Sequence, residues 1–135
     1  MNREKIREKT MQLIYQMDIS DSFDVSNLKL MDEDSNIIGK KQADDTLNAV
    51  KDHINEIDDL IKSNLDKWSF ERIAKTDLAI LRTAVAEILY LDYIPEVVSV
   101  NEAVELSKKY SDDKAYKFVN SVLGKILKTL EKSDE

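Results

Sequence analysis

Apolar residues along this chain recur at spacings of three and four. In "REKIREKTMQLIYQM" the positions Ile6, Thr10, Leu13, Ile14 and Met17 make one stripe, which predicts a helix over 3–17. The period is lost in "DISDSFDVSNLKLMDEDSNIIGK", an acidic stretch that is loop-like at both ends. A short apolar cluster there, Val25, Leu28 and Met31, is compatible with a minor helix. The longest signal follows: Ala43, Leu47, Val50, Ile54, Ile57 and Ile61 alternate spacings of four and three, as in a long helix packed in a bundle. "NLDKWSFERIAKT" breaks the period again and reads as a link. "TDLAILRTAVAEILYL" resumes it, with Leu78, Leu81, Val85 and Ile88 inward and Thr76 as N-cap. Pro95 ends that element, because proline has no amide hydrogen and disfavours helix in the residue before it. Ser99 and Glu102 fit a capping box for the next helix. "SDDKAYKFVNSVLGKILKTLEK" closes the chain, with Ala115, Phe118, Val119, Val122, Leu123, Ile126 and Leu130 on one face. No repeat is visible. The pattern predicts an all-α fold, a compact domain of two small helical bundles joined near Trp68.

Composition sharpens this picture. The 135 residues suit a single domain, 1–135, with a real core. Two glycines and one proline leave little material for hairpins. With no cysteine there is no disulfide, no thiolate nucleophile and no Cys-ligated zinc. No apolar run approaches ~18 residues, and no basic-then-apolar leader is seen, so a cytoplasmic protein without a membrane partner is expected. The formal net charge of −7 argues against a protein that coats nucleic acid broadly, but allows a local basic patch.

Catalytic and metal chemistry find little support. "DEDSN" places Asp32, Asp34 and Asn36 like the opening of a calcium loop, yet Ile37 stands where glycine is needed and Ala43 where glutamate is needed. His53, the only histidine, reads as a solvated helix residue beside Asp52. The pairs Asp44–Asp45, Asp58–Asp59 and Asp112–Asp113 are sequence neighbours, which point about 100° apart on a helix and form no shared dyad. Two distant glycines build no phosphate loop. A non-enzyme without cofactors is expected.

The basic residues are more informative. Arg3, Lys5, Arg7 and Lys9 crowd the first turns of a helix in an acidic protein. Arg3 and Arg7 fall at the edge of the apolar stripe, and Lys5 and Lys9 on the opposite face. Like charges then meet at i,i+4, and cations sit where the helix dipole disfavours them. An anionic ligand would correct both faults. A second region holds Lys108, Lys109, Lys114, Lys117, Lys125 and Lys128 against Asp112 and Asp113, with Tyr110, Tyr116 and Phe118 interleaved. Lysines beside aromatics suit single-stranded RNA, where phosphates meet cations and bases stack on rings. Phe118 also fits the apolar stripe, so core packing competes for it.

Three segments carry a resemblance. "IPEVVSVNEAVELSKKYSDDKAYKFVNSVLGKI", "TDLAILRTAVAEILY" and "REKIREKTMQLIYQMD" resemble the NusB transcription antitermination family, over nearly the whole chain and most weakly over 19–41. The resemblance implies an all-helical fold and a non-enzymatic role. That role is binding the boxA element of ribosomal-RNA leaders jointly with NusE, the small-subunit ribosomal protein, within the RNA polymerase antitermination complex. By the same resemblance Arg3, Lys5 and Arg7 match the family's arginine-rich start, with Glu4 where many members have another arginine. Lys114, Lys117 and Phe118 match its second RNA-contact region. Tyr15, Asp77 and Arg82 match the NusE-facing surface. Ser121 replaces the usual glycine after Phe-Val-Asn. Two other readings stand beside this one. One is a helical protein–protein adaptor without RNA binding. The other is the NusB-like front domain of some ribosomal-RNA cytosine methyltransferases, but the chain has neither a Gly-rich cofactor motif nor a catalytic cysteine.

Overall fold

A computed structural model describes residues 2–27, 30 and 35–133. Five helices follow in order among the described residues: α1 (Arg3–Ile19), α2 (Lys41–Lys62), α3 (Lys75–Tyr90), α4 (Glu96–Tyr110) and α5 (Ala115–Ser133). Short 3-10 turns lie at Val25–Asn27 and Phe70–Arg72, and no strand occurs among the described residues. Val25 is thus part of a single turn that packs on the core; Leu28 and Met31, read with it as a minor helix, lie outside the described residues, as do Asp32 and Asp34.

The apolar stripes form the core as their spacing predicts. Leu13, Ile14 and Met17 of α1 are fully enclosed, as are Ile57 and Ile61 of α2 and Leu123 and Ile126 of α5. Each such side chain contributes about 1.5–3 kcal/mol by leaving water. Asn2 caps α1, its side-chain oxygen accepting from the Lys5 amide at 2.8 Å. α2 kinks at His53 (φ −128°, ψ 27°). The His53 ring is stacked on Tyr90, centroids 4.2 Å apart and planes 11° from parallel, so it is not simply solvated as its sequence position suggests.

Two helix starts differ from expectation. α3 begins after Ala74 with no side-chain cap, which puts Thr76 inside the first turn. α4 begins after Pro95, whose carbonyl accepts from the amides of Val98 and Ser99. Proline is well suited to a helix start, since the first amides have no partner inside the helix anyway. Ser99 is therefore not a cap. It is buried, and its hydroxyl donates to Glu87 at 2.8 Å.

α3 is the hub. Every residue from Asp77 to Glu87 is buried, and the helix packs against all four others. α1, α2 and α3 make one three-helix group, and α3, α4 and α5 make another. The two bundles foreseen in the sequence thus share a helix and a single continuous core; they are not joined near Trp68. Trp68 instead stands on the surface, between α2 and α3.

Candidate nucleic-acid and partner surface

The cations of α1 divide between inside and outside. Arg3 is exposed, and Lys5 reaches Glu8 at 3.3 Å. Arg7 is only 4% exposed. Its Nε and Nη2 donate to the two oxygens of Glu87 on α3 at 2.7 and 3.1 Å, a bidentate pair completed by the Ser99 hydroxyl. Arg7 is therefore a buried tie between α1, α3 and α4, and the expectation that it meets RNA is corrected. A side chain enclosed in protein and paired with a buried carboxylate is out of reach of a phosphate. Lys9 is also buried, not on an outer face.

The second basic region is built around two rings. Trp68, 61% exposed, meets Phe118 of α5 edge-on, with centroids 5.8 Å apart and planes at 62°. Phe118 packs partly on the core, as its place in the apolar stripe predicts, and is half-buried rather than enclosed. The ring pair divides two open clefts. One, of about 380 Å³, is lined by Lys67, Lys117, Ser121 and Lys125 besides the rings, with Lys125 paired to Asp66. The other, of about 350 Å³, adds Arg72, Asp77, Asp112 and Lys114. Lys114 is held at the entry to α5 by Asp112, whose side chain accepts from the amides of Lys114 and Ala115. Lys108 lies over the Tyr116 ring at 5.1 Å.

Among the residues matched to the partner surface, Tyr15 is exposed. Asp77 is largely enclosed and accepts from the Ser111 hydroxyl at 2.5 Å, yet it lines the same cleft as Lys114 and Phe118. Arg82 differs from expectation. Its guanidinium forms a fork with Asp58 at 2.9 and 2.8 Å, stands 3.4 Å from Asp18, and lies over the Phe23 and Phe70 rings. Burial opposes its charge, but the bonds and fields of Asp58 and Asp18 prevail and raise its pKa. It fastens α3 to α1 and α2 and presents no face to a partner.

Sequence reasoning passed over Trp68, Lys67 and Arg72 because the link broke the helical period. The signal was present: the only tryptophan of the chain stands in "LDKWSFER", among cations and unclaimed by any apolar stripe. No group of three or more His, Asp or Glu side chains among the described residues could hold a metal ion, and none of the helices there is long and apolar enough to cross a membrane.

The fold and surface define an all-helical protein that displays aromatic rings and cations on open clefts. The chain belongs to the NusB family, whose profile matches residues 4–128, and this family is a non-enzymatic one of transcription antitermination proteins. It is 40% identical over 134 residues to transcription antitermination protein NusB of Finegoldia magna, covering 97% of each chain. Its fold matches that of T. maritima NusB with a TM-score of 0.81 and 29% identity, over 95% of this chain and 92% of the other. It also matches a chain in a crystal structure of antitermination factors NusB and NusE in complex with dsRNA, with a TM-score of 0.71 and 29% identity, over 94% and 96% of the two chains.

Proposed function

We propose that the chain supports antitermination by holding a boxA-type RNA strand across the Trp68–Phe118 clefts, jointly with NusE, within the RNA polymerase complex of the cytoplasm. The observation that carries this reading is the ring pair, Trp68 exposed and Phe118 half-buried, with Lys67, Lys117 and Lys114 around it. Such rings offer a splayed base a stacking face, and the lysines neutralise the phosphates on either side. Arg3 and Lys5 extend the cationic track along α1. Tyr15 supplies a rigid, partly exposed ring for NusE, a common make-up for an interface anchor. Asp77 lies between the two roles, since it lines an RNA cleft and belongs by resemblance to the NusE side.

A gel shift with boxA RNA and a scrambled strand, with and without NusE, tests this. The expected result is weak binding by the chain alone and tighter, boxA-preferring binding with NusE. If NusE binds and RNA does not, the chain is a protein–protein adaptor.

A further inference from the structure

Glu8 links the two basic regions. Its carboxylate, with 10% of the side chain exposed, accepts from Lys5 Nζ at 3.3 Å and from Lys109 Nζ at 2.6 Å. Burial opposes the charge, but the hydrogen bonds from Lys109 and Lys5 outweigh it and hold the carboxyl below its ordinary value. One helical turn further along α1, Gln12 Nε2 donates to the Tyr110 hydroxyl at 2.9 Å. These two contacts fasten the outer side of α1 to the end of α4.

Lys5 and Lys109 still keep 53% and 57% of their side chains exposed. An ammonium has three donors, so each lysine bonds Glu8 with one and keeps two for another acceptor. Without the carboxylate, two neighbouring ammonium groups would repel one another and take up separate positions. With it, the trio carries a net charge of +1 and both cations have fixed places on one surface.

We propose that Lys109 binds an RNA phosphate and that Glu8 is a positioning residue, setting Lys109 in line with Lys5 so that the two basic regions form one track. The proposal rests on the RNA-binding reading above. It has an unusual sign. A carboxylate on an RNA-binding face should repel the strand, so its neutralisation should tighten binding if charge alone mattered. If Glu8 acts by placing the lysines, neutralisation weakens binding although the protein becomes less acidic.

The test measures the affinity of the chain with NusE for boxA RNA across a salt series, for wild type, Glu8→Gln, Lys109→Gln, the double variant and Lys117→Ala, with melting curves for each. Lys109→Gln alters an exposed side chain, so it keeps the fold even where Glu8→Gln does not. The expected result is a several-fold loss of affinity for each single variant. The logarithmic salt slope should be flatter by about 0.7 for each phosphate of a single strand that is no longer neutralised. The double variant should bind no more weakly than Lys109→Gln. Tighter or unchanged binding by Glu8→Gln overturns the proposal, and so does weaker binding with a wild-type slope, which is the mark of a purely structural residue. Should only Lys117→Ala flatten the slope, RNA binding stands and the role of Glu8 and Lys109 falls. No binding by wild type at low salt removes both.

Discussion

Arg3 and Arg7 stand one turn apart on α1 and have opposite fates. Arg3 is in water; Arg7 is locked to Glu87. Arg7→Ala leaves Glu87 buried with only the Ser99 hydroxyl to answer it, and breaking such a pair costs about 3–5 kcal/mol. Urea melts should show that loss for Arg7→Ala and almost none for Arg3→Ala; equal stabilities would mean that the Arg7–Glu87 tie carries no weight. Trp68 makes the complementary case. It is mostly exposed, so Trp68→Ala should leave the melting curve nearly unchanged while costing about 1–3 kcal/mol of RNA affinity in a gel shift. A large fall in melting temperature with intact RNA binding would reassign Trp68 to packing. Neither fate could be read locally. The partner of Arg7 lies 80 residues away, and the neighbour that makes Trp68 part of the proposed site is Phe118, far downstream on α5.

At the scale of the element, the stripes of α1, α2 and α5 were legible because burial repeats with the helix period, and the buried faces match the spacing residue for residue at Leu13, Ile57 and Ile126. α3 was legible as a helix but not as the hub, since its inward row of Leu78, Leu81 and Val85 says nothing of the burial of Asp77, Thr83 or Glu87. Helix starts were the weakest point. Ser99–Glu102 has the capping-box pattern, yet Pro95 had already started α4. A start with no side-chain cap also leaves room for improvement. Lys40 occupies the N-cap of α2 in an extended conformation, makes no capping bond, and puts a cation at the positive end of the helix dipole. Lys40→Asp should stabilise the protein by about 0.5–2 kcal/mol, raising its melting temperature by a few degrees. A lower melting temperature would show that Lys40 has a stabilising contact of its own.

The whole molecule reconciles a net charge of −7 with the proposed RNA partner by placing exposed cations beside the ring pair and along α1, while other charges are consumed internally. In the proposed complex NusE supplies what the acidic chain cannot. Tyr15→Ala should weaken NusE binding in titration calorimetry by on the order of 2 kcal/mol while leaving the melting curve unchanged, because the ring is partly exposed. Joint loss of affinity and stability would make Tyr15 a core residue instead. The central claim is that the RNA strand passes over Trp68 and Phe118. Trp68 is the only tryptophan, so its fluorescence reports on that spot alone. The direct measurement is a titration of boxA RNA into the complex with NusE, with Trp68→Phe as the blank and RNA binding followed in parallel by anisotropy. Quenching of Trp68 that follows RNA binding and reverses with added salt is the predicted result. RNA binding that leaves the Trp68 signal unchanged would put the strand elsewhere and contradict the account.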